Sequence, residues 1–328
     1  MLYSIKHLHL ELSSLCNARC PFCPRNLNGY PYNFGYKETN ISLADIKKIF
    51  LPQTIESLEQ ILINGNFGDF VMNPQSVEII EYFLGHNPGL EIIVSTNGSA
   101  RDQEFWQRLG ALGIVVVFAV DGLEDTNHLH RQDTNFQTIM KNAKYFIDAG
   151  GHAHWKMLKF EFNQEDRAQL FARAQSLGFN KAWIENTVRD FGPVYNRQGE
   201  KIHFIRLDRA DMPNKIDQEW IDSRDTWYDS VGQKNTGVKQ ISCWAQKNHS
   251  IYLAADGHVY PCCYVGFNPH EFKPLNTHRY WNAEINQYIS NNHAPTVGLI
   301  RAIEWFHELA PSWHTDRQPG VCKNFCGK

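Results

Sequence analysis

The 328-residue chain has no strong charge of either sign, no long apolar run, and no cysteine over the long stretch between Cys23 and Cys243. Lys and Arg number 32 against 35 Asp and Glu, a formal net charge of −3, which leaves no basic excess to grip a phosphate backbone and argues against nucleic acid as a partner. The longest strongly apolar run, Ile114 to Val120, falls far short of the ~20 residues that a membrane span needs. Residues 1 to 15 contain no basic segment leading into an apolar stretch and a cleavage site, so an unexported, cytoplasmic protein with no membrane partner is expected. No HExxH or Ser-His-Asp arrangement supports hydrolysis, and there is no internal repeat or low-complexity tract. The 8 cysteines crowd toward the two ends of the chain. Without a signal peptide, such clusters point to metal ligation in a reducing compartment rather than to a disulfide framework.

What is present is enough apolar mass for a large core: 42% hydrophobic residues, with 20 Phe, 13 Tyr and 9 Trp. Short apolar runs alternate with segments of helical period, the pattern of repeated βα units around a parallel sheet. Six strands are predicted at His7 to Leu12, Gln60 to Asn64, Glu91 to Thr96, Ile114 to Val120, His154 to Phe160 and Lys181 to Glu185. Helices are predicted at Ser42 to Phe50, Gln75 to Leu84, Arg101 to Leu109, Asn135 to Ala149 and Gln164 to Leu177. Polar or glycine-bearing segments stand where these strands end, at Asn64-Gly65-Asn66, Thr96-Asn97-Gly98 and Asp121-Gly122, and a ligand site is expected there. From about residue 189 to 240 the pattern is lost, as in a connecting or substrate-covering segment. Beyond it, Asp256-Gly257 between Ser250–Ala254 and His258–Pro261 signals a hairpin, and Leu299 to Leu309 reads as one amphipathic helix.

Cys16, Cys20 and Cys23 form CxxxCxxC directly after the first strand. Three thiolates on one loop can hold three irons of a [4Fe-4S] cube and leave the fourth open. Structural zinc is the competing reading, but it normally closes with four ligands, and no fourth Cys or His stands at suitable spacing. The spacing, Phe22 before the last cysteine, and the strand in front resemble the radical S-adenosylmethionine (SAM) superfamily.

That resemblance implies a partial (β/α)6 TIM-like barrel, residues 1–190. It further implies that the open iron binds SAM, whose reductive cleavage yields a 5′-deoxyadenosyl radical that abstracts a substrate hydrogen, with the electron coming from an external donor of flavodoxin or ferredoxin type. The segment Gly65-Asn66-Phe67-Gly68-Asp69 is similar to the family's Gly-Gly-Glu region, which lines the methionine end of SAM. Asp69 stands where Glu is commoner, one methylene short, and Asn66, Gly68 and Asp69 are expected cofactor contacts with Phe22. Ser95-Thr96-Asn97-Gly98 resembles the ribose-contacting segment, which adds Ser95 and Asn97. Asp121 and Arg131 are candidate catalytic residues near the mouth. Glu11, if it faces the interior, must find a partner.

Cys243, Cys262, Cys322 and Cys326 are similar to the ligands of a SPASM or twitch extension, here a small hairpin-plus-helix unit at 241–328 with one auxiliary [4Fe-4S] cluster, after a connecting segment at 191–240. An all-cysteine zinc site has a similar ligand set and stays open. Adjacent residues on an extended strand point to opposite faces, so Cys262 and Cys263 do not both bind one cluster. Cys262 is chosen because it completes Gly257-x4-Cys; Cys263 is then a plain thiol or a hydrogen-atom donor. The expected function is oxidation of a peptide or small molecule with electron transfer to the auxiliary cluster. The alternatives are a redox-neutral epimerase using Cys263 and a non-catalytic zinc or iron–sulfur interaction module. No leader-peptide-binding segment is evident at the first strand, which weighs against a ribosomal peptide lacking a separate carrier.

Overall fold

The computed structural model describes residues 5–31, 37–187, 191–208, 239–267, 289, 291–315 and 318–327. Eight strands form one sheet: β1 (His7–Leu10), β2 (Gln60–Ile63), β3 (Glu91–Thr96), β4 (Val115–Ala119), β5 (His152–Lys159), β6 (Lys181–Asn186), β7 (Ser250–Leu253) and β8 (Val259–Tyr260). Their order is β8-β7-β1-β2-β3-β4-β5-β6. Every neighbouring pair is parallel except the β7–β8 hairpin. The six predicted strands are therefore consecutive in the sheet. They make an open α/β arrangement of the expected class, whose described strands do not close into a barrel.

Burial alternates along β1, β2, β3 and β5, whereas β4 is buried along most of its length. Leu8 and Leu10 of β1, Ile61 and Ile63 of β2, Ile92 and Val94 of β3, and Ala153, Trp155 and Met157 of β5 point to one face and are buried. Against that face lie α1 (Leu43–Ile49), α2 (Ser76–His86), α3 (Gln103–Gly110), α4 (Phe136–Asp148) and α5 (Gln164–Ser176), whose Ile46, Ile80, Trp106, Phe146 and Leu170 complete one apolar core. Three of the helices start on side-chain caps that satisfy an otherwise orphaned N–H: Ser42 accepts from Asp45 N, Asp102 from Phe105 N and Asn135 from Thr138 N. The opposite face carries His9, Leu62, Ser95, His154, Lys156 and Trp183, all only half-buried, and is the face open to a ligand.

Three elements differ from expectation. The C-terminal hairpin is not set apart from the barrel strands: β7 lies beside β1 in parallel register, His7 opposite Ser250 and Leu10 opposite Leu253. Within the segment read as patternless, Gly192–Tyr195 and Lys201–Ile205 pair antiparallel, turned by Asn196, whose Oδ1 accepts from Gln198 and Glu200 N–H. Most of the rest of that segment, 209–238, lies outside the described residues. The single helix expected from Leu299 is two, Leu299–Ala302 and Phe306–Ser312, because the backbone turns at Ile303 to let Trp305 into a second core with Tyr252, Tyr260 and Trp313. Among the described residues no helix is long and apolar enough to cross a membrane.

Candidate active site

The site lies at the carboxyl ends of β1 to β5. The chain leaves β1 through Glu11 and turns into the cysteine loop, whose carbonyls take one backbone and two side-chain donors: Cys23 N donates to Cys20 O at 3.0 Å, Asn26 Nδ2 to Cys20 O at 2.9 Å and Arg25 Nη1 to Cys16 O at 3.1 Å. Arg19 pins the loop from outside, with Nε on Asp133 Oδ2 at 3.1 Å and Nη1 on the carbonyls of Gly29 and Tyr195. Cys16, Cys20 and Cys23 are half-buried and in no disulfide. Burial, with the charges of Asp69, Cys20 and Cys23, pushes the Cys16 thiol up. N–H groups face two of the sulfurs: Ala18 N lies 3.4 Å and Asn97 Nδ2 3.7 Å from Cys16 Sγ, and Arg131 Nη1 lies 3.7 Å from Cys20 Sγ. Phe22 packs its ring on His130.

Behind β2, residues Gly65 to Asp69 fold down onto the chain leaving β1. The approach is close enough to require glycine: a Cβ on Gly68 would stand 1.9 Å from Ser13 O, and one on Gly65 would stand 2.6 Å from Glu11 Oε1. Glu11 is almost fully buried beneath this loop. Its Oε1 accepts from Phe67 N at 2.7 Å and Gly68 N at 3.1 Å, and its Oε2 accepts from the Tyr252 hydroxyl of β7 at 2.7 Å. Burial raises its pKa to about 7 against the pull of those three donors.

Asp69 is buried too, and its acceptor positions are occupied from within the chain. Oδ1 takes the Thr96 hydroxyl at 2.8 Å and Val71 N at 3.3 Å, and Oδ2 takes Asn97 N and Nδ2, both at 2.7 Å. The carboxylate thus fixes the turn after β3, and burial pushes its pKa up. Asn97 also donates to Asn17 Oδ1 at 2.9 Å, which ties that turn to the cysteine loop. Ser95 is on the open face of β3. Asn66 Nδ2 donates to Cys263 O at 2.8 Å.

On the far side, Asp121 is fully buried after β4. Its Oδ2 accepts from Arg131 Nε at 2.5 Å and His130 Nδ1 at 2.8 Å, and its Oδ1 from Leu158 N at 2.7 Å. Burial pushes this carboxyl up, but Arg131, His130 and the Leu158 N–H outweigh it and hold it below the ordinary carboxylate range. Arg131 therefore bridges a buried anion and the Cys20 sulfur.

The remaining cysteines gather on the second core. Cys243 donates to the Cys326 sulfur, which pushes Cys243 up and Cys326 down. Cys262 lies within electrostatic reach of Cys322 and Cys326, and its thiol is raised by burial. Cys263 has its carbonyl on Asn66 and its charge felt by Tyr252. Among the described residues no group of three or more His, Cys, Asp or Glu side chains converges as a single bound ion requires.

Sequence reasoning named the cysteine loop, the 65–69 loop, the 95–98 turn, Asp121 and Arg131, while the ion pair of Asp121 with Arg131 comes from the structure. It missed His130, Asn17 and Tyr252. His130 is detectable only as the residue preceding Arg131, and Tyr252 carries no local signal at all.

Comparison with known proteins matches residues 10–174 to the Radical SAM superfamily. The chain is 21% identical over 268 residues to the tungsten-containing aldehyde ferredoxin oxidoreductase cofactor-modifying protein of Pyrococcus furiosus, which covers 79% of this chain and 71% of that one. Its fold is similar to that of Streptococcus suis SuiB bound to the precursor peptide SuiA, with a TM-score of 0.54, 13% identity, 95% of this chain and 65% of SuiB covered. The chain thus spans a little under two thirds of SuiB. Native anSMEcpe with bound AdoMet and Cp18Cys peptide is similar at a TM-score of 0.53 and 14% identity, with 98% and 89% covered.

Proposed function

Because the chain belongs to the radical SAM superfamily, we propose that it cleaves SAM reductively and removes a hydrogen atom from a peptide or small molecule bound over the open face of the sheet. The observation that carries this reading is the loop after β1, where three thiols outside any disulfide stand together and N–H donors from Ala18 and Asn97 face Cys16 while Arg131 faces Cys20. That donor set fits a [4Fe-4S] cluster, whose ligands each meet a different iron and whose sulfurs accept hydrogen bonds. A cluster held there by Cys16, Cys20 and Cys23 would supply the electron for the reductive cleavage of SAM. The chain's own residues hold and orient. Cys16, Cys20 and Cys23 are the ligands. Gly68 and Asn66 line the cofactor with Phe22, Ser95 and Asn97, while Asp69 holds Asn97 in place, its own oxygens already engaged. Asp121 fixes Arg131 against Cys20.

In this reading residues 1–190 are the catalytic unit, 191–240 cover the substrate, and 241–328 carry an auxiliary [4Fe-4S] cluster on Cys243, Cys262, Cys322 and Cys326. The mutual electrostatic reach of those four thiols supports the ligand set. With an electron acceptor there and an external flavodoxin or ferredoxin as reductant, the substrate undergoes net oxidation, a dehydrogenation or a cross-link. A peptide substrate agrees with the ligands named for the similar structures. A second reading rests on the Asn66–Cys263 contact, which ties Cys263 to the cofactor loop: a hydrogen atom donated by its thiol gives epimerisation with no net redox change.

The test is anaerobic reconstitution with iron and sulfide, then incubation with SAM and dithionite. About eight irons per chain and formation of 5′-deoxyadenosine support two clusters and a competent initiator. Zinc without SAM cleavage overturns the enzyme reading in favour of a non-catalytic module. Once a substrate is found, loss of turnover in Cys263→Ala with irons unchanged favours epimerisation over oxidation.

A further inference from the structure

The loop Gly65–Gly68 touches the C-terminal hairpin at two independent points. One runs through Glu11: its carboxylate joins Phe67 N and Gly68 N on one oxygen to the Tyr252 hydroxyl on the other. The second is direct, from Asn66 Nδ2 to Cys263 O. Tyr252 lies on β7, far from the loop in sequence and two strands from β2 in the sheet, brought beside the loop only because β7 pairs with β1. Cys263 follows β8 in the same hairpin.

A four-residue loop with two glycines has little stiffness of its own. Its shape is set by what its N–H groups find, and two of them find a single buried carboxylate oxygen. No solvent competes there, so that bond pair holds the loop more firmly than exposed bonds would. Burying a carboxyl is costly, and three well-aimed donors are what make the position tolerable. The arrangement is therefore a three-way joint in which each member depends on the other two: remove the Tyr252 hydroxyl and Glu11 loses the donor on one oxygen; remove Glu11 and both loop amides lose their acceptor.

We propose that Glu11 is a positioning residue that sets the Gly65–Gly68 loop in its cofactor-receiving shape, and that Tyr252 and Asn66 make this shape depend on the seating of the C-terminal hairpin. The hairpin thereby controls how well the chain takes SAM, without touching SAM itself. This rests on the assignment of the 65–69 loop to SAM.

The experiment uses the full, iron-reconstituted chain and two readouts: equilibrium binding of SAM, and hydrogen–deuterium exchange of the peptide covering Phe67 and Gly68. Glu11→Ala is expected to bind SAM at least tenfold more weakly and to exchange faster at those two amides, with the iron count unchanged. Glu11→Gln keeps an acceptor for the amides and a donor toward Tyr252, and should stay within about threefold of wild type. Tyr252→Phe, altered on the hairpin side of the joint, should weaken SAM binding severalfold and speed exchange at Phe67 and Gly68; Asn66→Ala, altered on the loop side and itself placed against the cofactor, should speed exchange at the same two amides. Wild-type SAM affinity and exchange in Glu11→Ala overturn the proposal. If Glu11→Ala does not fold, Tyr252→Phe decides: wild-type affinity and exchange there overturn the link to the hairpin. A wild-type chain that binds no SAM overturns the functional assignment of the loop instead, while the exchange measurement still reports whether Glu11 holds it.

Discussion

Replacing Asp121 by Asn removes the carboxylate that Arg131 and His130 contact directly, in a site where Asp121 has no exposure and Arg131 only 16%. Asn has one acceptor oxygen where Asp has two. If the amide oxygen stays on Arg131 and His130, its NH2 faces the Leu158 N–H; if it turns to Leu158, its NH2 faces the guanidinium. Either way a donor meets a donor, and a buried guanidinium loses its counter-charge. Breaking a buried pair from one side costs about 3–5 kcal/mol. With a urea dependence near 3 kcal/mol per molar, the upper end for small domains, the midpoint should fall by about 1–1.7 M. The assay is urea unfolding of the metal-free chain followed by tryptophan fluorescence. The double variant Asp121→Asn/Arg131→Met should recover most of the loss, since removing both charges of a buried pair is often close to neutral. The effect is also pH-dependent. Asp121 titrates below its unfolded value, so its stabilisation is present above about pH 4 and is lost as pH falls through the folded value; the gap between wild type and variant should narrow in acid. A midpoint shift under about 0.3 M, or a double variant no better than the sum of the singles, refutes the argument that this pair is coupled.

Glu11 has the opposite sign. Its folded pKa is raised to about 7, so the wild type loses stability relative to Glu11→Gln as pH rises from about 4.5 to 7 and levels off beyond; on the order of 3 kcal/mol at ~1.4 kcal/mol per unit should separate the two differences, measured by urea midpoints at pH 5 and pH 8. Gly68→Ala drives a Cβ into the Ser13 carbonyl and should abolish 5′-deoxyadenosine formation while the iron count at the first three cysteines stays unchanged. Any one of Cys243, Cys262, Cys322 or Cys326 changed to Ala should lower the iron count from about eight toward four, whereas Cys263→Ala should leave it where it was. Arg131→Gln should shift the midpoint potential of the SAM-binding cluster downward, because a positive charge beside Cys20 favours the reduced form; an unchanged potential in an EPR titration contradicts that role.

Strands β1, β2, β3 and β5 were legible because alternate residues face the helices, β4 because it is a continuous apolar run, and the helices because their caps and periods are local. The cysteine loop was legible because three thiols at fixed spacing carry their chemistry in the sequence. Glu11 was visible only as a carboxylate in need of a partner. Two of its partners are backbone N–H groups, which no residue type announces, and the third comes from a hairpin whose local signal, Asp256-Gly257, says nothing about which strand it will join. Asp69 stood in the right segment, but its geometry turns it inward onto Thr96 and Asn97. The Gly192–Tyr195 strand was hidden because Gly192-Pro193 reads as a breaker, although a proline is tolerated in a two-stranded edge pairing.

The parallel pairing of β7 with β1 has a consequence for biosynthesis. His7 emerges from the ribosome early, and Ser250, which it faces, follows only after most of the chain has been made. At ~5–20 residues per second, roughly 12–50 s pass in which one side of β1 has its amides and carbonyls turned outward with no strand to meet. For that interval the nascent protein is an adhesive ribbon edge, open to a neighbouring polysome's chain or to a chaperone. A premature stop anywhere before β7 would make that exposure permanent.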